Sequence, residues 1–204
     1  RAGSGHLYLR LKDENAQIRC VMWATDARRA LAAPDEGMTI IALGKLTVFA
    51  AGGELQLRIL PIEASGDGLW RKAFEKIHKK LEAEGLFAAE RKRPLPLLPS
   101  CVALVTSTDG AALHDIVSVV QRRCPITRVV VAHAQVQGED APKSLVAALH
   151  RVARWGKADV VILGRGGGSR EDLWAFNDER VVRAAAGMPI PVISAVGHEV
   201  DTTL

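Results

Sequence analysis

A chain of 204 residues, 48% apolar and 25% charged, has room for one large or two small globular domains and carries an ordinary soluble mix of side chains. No apolar run approaches the roughly 18 residues of a membrane span, which argues against a membrane partner, and no signal-peptide pattern is visible. A net charge of +4 and an isoelectric point near 9.2 permit nucleic-acid binding without requiring it. The charge is uneven: eight basic against six acidic residues in 1–62, eight against six in 63–100, and eleven against eleven in 101–204. The first half is the better grip for a polyanion, and chemistry in the last part depends on where charge is placed. Cys20, Cys101 and Cys124 form no CxxC pair, so neither a zinc site nor a disulfide framework is expected. They read as small buried apolar residues in a protein of the reducing cytoplasm. The chain opens on Arg1 rather than Met and stops without a tapering tail, so a piece of a longer protein is expected.

In chain order, residues 5–62 predict short strands. Leu7, Leu9 and Leu11 alternate with Tyr8, Arg10 and Lys12, the period-two pattern of a half-buried strand. A turn at Asp13-Glu-Asn15 leads to a second strand over 18–24. A third covers 39–50, a hairpin turn follows at Ala51-Gly-Gly53, and Leu55, Leu57 and Ile59 mark a fourth. Four antiparallel strands make a small barrel or sandwich, with one open edge if a leading strand is missing. Tyr8, Arg10 and Lys12 share a strand face, with Lys45 and Phe49, and Gln56 and Arg58, on matching parity in two other strands. Aromatics among bases suit stacking and backbone attraction on single-stranded nucleic acid, and the plainer alternative is a solvated sheet face.

Trp70, Phe74, Ile77 and Leu81 fall on one face of a helix over 69–84, whose other faces are rich in lysine and arginine. Pro94, Pro96 and Pro99 then mark a stiff linker, so 63–100 reads as a basic helix plus a proline-rich connection.

Residues 101–204 alternate strand and helix: strands over 102–106, 127–132, 159–163 and 191–195, helices over 110–122, 142–155 and 177–186. The strands are continuous apolar runs, as in a parallel sheet covered on both faces. In such open α/β sheets the site lies at the carboxyl ends of the strands. Thr106-Ser-Thr-Asp-Gly110 gathers there, with Asp115 early in the next helix, as do Gly164-Arg-Gly-Gly-Gly-Ser169 and Val196-Gly-His-Glu-Val-Asp201.

Gly164, Gly166, Gly167 and Gly168 allow close backbone approach, and their amides, with Ser169 and Ser107, suit an anion. Arg165 offers a planar fork for a phosphate, and His198 a general acid or base near neutral pH. The structural alternatives are a flexible turn with a solvated arginine and a histidine that only packs. Trp174 and Phe176 read as packing residues more than stacking ones. Asn177 and Glu179 are candidates to support the site, while Glu171 and Asp172 favour a helix start through its dipole. The loop lacks the lysine of a Walker A motif, and Ser169 breaks the dinucleotide fingerprint. The residues alone describe a phosphate-handling α/β domain joined to a small basic β domain.

The string Gly164-Arg-Gly-Gly-Gly-Ser-Arg-Glu-Asp-Leu-Trp-Ala-Phe-Asn-Asp-Glu179, with Pro191-Val-Ile-Ser-Ala-Val-Gly-His-Glu-Val-Asp201, closely resembles the exodeoxyribonuclease VII large-subunit family. Thr106-Ser-Thr-Asp-Gly-Ala-Ala-Leu-His-Asp115 and Ser4-Gly-His-Leu-Tyr-Leu-Arg-Leu-Lys-Asp13 resemble two further parts of it, so the likeness runs in order along the chain. Asp109 and Arg170 depart from the pattern, at positions given no role in the chemistry.

The resemblance implies an OB-fold over 1–62, without its first strand, that binds single-stranded DNA. It implies a C-terminally shortened α/β catalytic domain over 101–204 that hydrolyses DNA from both ends to oligonucleotides. Several copies of a small subunit are implied on a long helical C-terminal region beyond this chain. By motif the catalytic residues are Asp115, Arg165, His198 and Asp201. No divalent metal is strictly required, although Asp115 and Asp201 can hold Mg²⁺ through water.

Overall fold

The computed structural model describes residues 4–50, 52–64, 68–166, 170–197 and 203–204. The chain divides into two compact units, Arg1–Lys76 and Ile77–Leu204.

The first unit holds strands β1 (Leu7–Lys12) and β2 (Gln17–Met22), a short helix α1 (Ala24–Arg29), and strands β3 (Ile40–Phe49) and β4 (Glu54–Ala64). Helix α2 (Gly68–Ala83) begins in it. Alternation along the strands turns Leu7, Cys20, Met22 and Ile59 into a buried cluster, packed by Leu9, Leu11, Ile18 and Leu57. The β1–β2 turn closes because Asp13 Oδ1 accepts hydrogen bonds from the amides of Asn15 (2.8 Å) and Ala16 (2.7 Å). These amides hold the Asp13 carboxyl below its ordinary value. At the β3–β4 hairpin the amides of Gly52 and Gly53 both donate to the Phe49 carbonyl.

Two features depart from the sequence expectation. The sheet order is β1-β2-β4-β3, and β2 pairs with β4 in parallel, not antiparallel. The chain leaves β2, crosses through 23–39 to lay β3 at the outer edge, and returns by the hairpin, so β4 runs alongside β2 in the same direction. Helix α1 is also unanticipated. It is six residues long and buries only Ala27, too little to write a helical period into the sequence.

The second unit contains β5 (Cys101–Thr106), α3 (Ala111–Arg123), β6 (Arg128–His133), α4 (Ala141–Trp155), β7 (Val160–Arg165), a short α5 (Arg170–Leu173), α6 (Glu179–Ala186) and β8 (Val192–Val196). All pairings are parallel, in the order β6-β5-β7-β8. Ala103, Val105, Val161 and Leu163 pack with Leu145, Leu149 and Val152 of α4 and Val181 of α6. Val102 and Leu104 are equally buried on the other parity of β5, the strand against which α3 packs. Asp159 ties down the start of β5, its Oδ2 accepting the amides of Ser100 (2.7 Å) and Cys101 (2.9 Å).

The predicted helix over 177–186 begins later. Trp174–Asn177 forms a 3-10 turn, and Asp178 caps α6 by accepting the Arg180 amide. Phe176 is in the core, in keeping with packing rather than stacking. Cys20 and Cys101 are buried thiols, and burial raises the Cys20 value.

Gly164 is not in the glycine loop but inside β7, paired with Ala195. A Cβ there would sit 2.8 Å from the Ala195 carbonyl oxygen, so the glycine lets β8 approach. Gly164→Ala is therefore expected to cost about 1–3 kcal/mol through overpacking, read as a lower midpoint in urea or thermal unfolding. An unchanged midpoint would show that β8 shifts without penalty.

Candidate active site and nucleic-acid face

The strand order of the second unit sets the place of the site. From β5 the chain steps outward to β6 and then back past β5 to β7, so the connections leave β5 and β7 in opposite directions. In open α/β sheets such a reversal leaves room for a ligand at the carboxyl ends of the two strands. Thr106 ends β5 and Arg165 ends β7. Gly166 lies against the first turn of α3, near the Cβ and amide of Ala112. Helix α3 begins at Gly110 with no side-chain cap, and Ser107 stands beside that glycine. Asp115 is one turn further along α3 and exposed.

The Arg165 side chain is only 11% exposed. Its Nη2 donates to Gln137 Oε1 (3.1 Å) and to Asp172 Oδ2 (3.1 Å). Its Nη1 is buried and has no hydrogen-bond partner among the described residues. Buried polar groups are rarely left this way, and a guanidinium is a donor that suits an anion.

Sequence reasoning missed Gln137, which lies 28 residues from Arg165 in a loop with no motif. Asp172 lies near the start of α5, where a helix-dipole role was expected, and its carboxylate also accepts from Arg165. His133, at the end of β6, was also missed. Its ring Nδ1 is 3.4 Å from Thr108 Oγ1, and its carbonyl accepts from Arg151 Nη2 at 2.7 Å.

Gly167, Gly168, Ser169, His198 and Asp201 lie outside the described residues. Asn177, buried, accepts the Leu204 amide on Oδ1 at 2.9 Å and so anchors the chain just beyond the His198–Asp201 stretch. Glu179 is engaged elsewhere, with Lys80 Nζ at 2.8 Å and with Arg183. Among the described residues no three His, Cys, Asp or Glu side chains cluster as a metal site requires.

In the first unit the pairing register puts the basic and aromatic candidates on one face, opposite the core. One row across the sheet reads Tyr8, Val21, Arg58, Lys45, and the next reads Arg10, Arg19, Gln56, Thr47. Lys12 and Phe49 extend the same face. Tyr8 is 62% and Phe49 52% exposed. Trp23, just past β2, joins them, with the Arg58 guanidinium 3.8 Å over its ring. The only sequence signal for Trp23 was its place at the end of the apolar run Cys20-Val-Met22. Arg19 is paired with Glu54, which lowers the free positive charge at that end.

Residues 86–204 match the family described as "Exonuclease VII, large subunit", and residues 1–63 match "OB-fold nucleic acid binding domain". Three curated relatives carry the name "Exodeoxyribonuclease 7 large subunit". The one from Geotalea daltonii is 48% identical over 202 residues, 99% of this chain and 45% of the relative. That from Moorella thermoacetica is 50% identical over 201 residues, 98% of this chain and 50% of the relative. That from Geobacter metallireducens is 48% identical over 201 residues, 98% of this chain and 44% of the relative. The chain thus spans about half the length of the curated relatives it matches.

The end of α2 is tied to α6 by a charge cluster. A hydrogen bond from Lys80, then one from Arg183, hold Glu179 below the ordinary carboxylate range. Arg183 does the same for Glu84, and Arg180 for Asp178. Carboxyls depressed in the folded state stabilise fully above their unfolded values near pH 4 and lose that contribution as pH falls through the depressed folded values. The thermal midpoint is therefore expected to drop on acidification below about pH 4. Arg183→Gln is expected to flatten that acid limb, and an unaltered limb would remove the cluster from the account.

Proposed function

The chain belongs to the exonuclease VII large-subunit family, and on that footing we propose that it hydrolyses phosphodiester bonds of single-stranded DNA, from both ends and down to oligonucleotides. The observation that carries the reading is Arg165: a nearly buried guanidinium at the carboxyl end of β7, with two acceptors on Nη2 and none on Nη1 among the described residues. The work divides along the chain. Residues 1–62 grip the single strand, 63–100 connect, and 101–204 cut, in a cytoplasmic assembly with several copies of the small subunit.

The chemistry assigned to each residue is as follows. Arg165 Nη1 and the amides of Gly166, Gly167, Gly168 and Ser169, with Ser107 from the facing loop, hold the non-bridging oxygens of the scissile phosphate. Charge grows on those oxygens as a water oxygen bonds to phosphorus, and fixed donors stabilise it there without reorganising. His198 removes the water's proton or supplies one to the departing sugar oxygen as the P–O bond breaks. Asp201 or Asp115 orients the imidazole or the water. The four groups need no resident metal, while Asp115 and Asp201 suit a water-mediated Mg²⁺.

On the grip, exposed Tyr8 and Phe49 offer faces for bases, and Arg10, Lys12, Lys45 and Arg58 offset backbone charge. Support for this division is the common face that the register gives these six residues.

Arg165→Ala and His198→Ala, made in a large subunit of full family length with its small subunit, are each expected to slow release of oligonucleotides from labelled single strands by about a hundredfold or more. Wild-type cleavage in either variant removes that residue from the chemistry. Single strands that shift in a gel yet stay uncut by the unaltered protein, with or without EDTA, favour a binding module instead. For the grip, a Tyr8/Arg10/Lys12 triple alanine variant is expected to lower the slope of log affinity against log salt by about 1.4, two charges at about 0.7 each. An unchanged slope takes this face out of DNA binding.

A further inference from the structure

We infer that Gln137 and Asp172 are positioning residues that clamp Nη2 of Arg165 and so fix the plane of the guanidinium that is to meet a phosphate oxygen. The inference rests on the reading of Arg165 as phosphate ligand and adds what holds it in place.

An arginine side chain has many rotamers, and a loose guanidinium loses entropy each time it meets a ligand. Here that loss is taken in advance. The Arg165 backbone is fixed at the end of β7, where its carbonyl accepts the Gly197 amide at 3.2 Å. Both Nη2 hydrogens are then directed at acceptors from two separate segments, each at 3.1 Å.

Gln137 is itself exposed, but its backbone is not free. Ala134 is buried, and its amide bonds to the Thr106 carbonyl. The Gln135 amide bonds to Ser144 Oγ at 2.9 Å, and Val136 is plugged into the core. Gly138 then turns the chain with φ at 86°. An amide presented by so anchored a loop is a fixed acceptor. Asp172 comes from the opposite direction, on α5 just beyond the glycine loop.

The chemistry of the pair also suits its task. Of the two acceptors on Nη2, one is charged and the other neutral. A second carboxylate in place of Gln137 would leave an excess of negative charge where a phosphate must bind. An ion pair built only to bury Arg165 would be expected to satisfy Nη1 as well, and among the described residues Nη1 has no partner.

The test measures kcat and KM on single-stranded DNA for Gln137→Ala, Asp172→Ala and Asp172→Asn, each alone and combined with Arg165→Lys, in the full-length large subunit with its small subunit. Gln137→Ala and Asp172→Ala are expected to lower kcat about ten- to a hundredfold, the cost of a displaced catalytic group. KM should move less than about threefold, since ground-state attraction is kept. Asp172→Asn retains an acceptor and is expected to recover most of the loss. In the Arg165→Lys background, which lacks the planar fork, each change should matter less than about twofold.

Losses that persist undiminished beside Arg165→Lys, or single variants with wild-type kcat, overturn the clamp. Wild-type cleavage by Arg165→Ala overturns the proposed function instead, so the two failures are told apart. If Asp172→Ala does not fold, Gln137→Ala and Asp172→Asn decide the matter, with thermal unfolding as the check on integrity.

Discussion

Burial of the two central strands, β5 and β7, is the constraint on which the second unit depends. A strand such as Cys101–Thr106, buried along its whole length, has no solvent-facing side chain to spare for chemistry. Polar groups of the central strands are then confined to the strand ends. Because all four strands run the same way, their carboxyl ends share one edge. The return of the chain past β5 to β7 parts the connections there, and Arg165 stands at that parting.

In the second unit, order comes from polar contacts made across long sequence separations. Gln137 and Asp172 meet on one nitrogen of Arg165 from either side. Asn177 holds the amide of Leu204, and Asp159 holds the entry to β5. Each is a short, directional bond from a partly or fully buried group, where the cost of leaving a partner unmade is high. The surface pairs at the α2–α6 contact are of another kind: exposed, screened, and individually worth little.

The first unit solves a different problem with the same alternation rule. Its sheet packs a core on one face and leaves Tyr8, Arg10, Lys12, Lys45 and Phe49 of the other accessible. The register of β1, β2, β4 and β3 then sorts those residues into rows. Arg58 belongs to such a row and also leans on Trp23, so the aromatic and basic elements of the face are joined before any ligand arrives.

Much of this was legible in the residues. Period-two alternation placed Tyr8, Arg10 and Lys12 on one face, and continuous apolar runs announced a parallel sheet, because burial on one side or two leaves its mark on neighbouring residues. The glycine-rich string and the His198–Asp201 stretch carried the family, since motifs are local. What the sequence could not write was partnership at a distance. The parallel pairing of β2 with β4 depends on the path of a crossover, which no period records. Gly164 reads like its neighbours in the loop, and only the nearness of Ala195 shows that it serves the ladder. The hold of Gln137 on Arg165 arises only when two loops, 28 residues apart, are brought to one edge by the sheet. The sequence by itself determined the alternation, the class of fold and the family. The tertiary structure alone decided which side chains meet, because a hydrogen bond is settled by position in space and not by order along the chain.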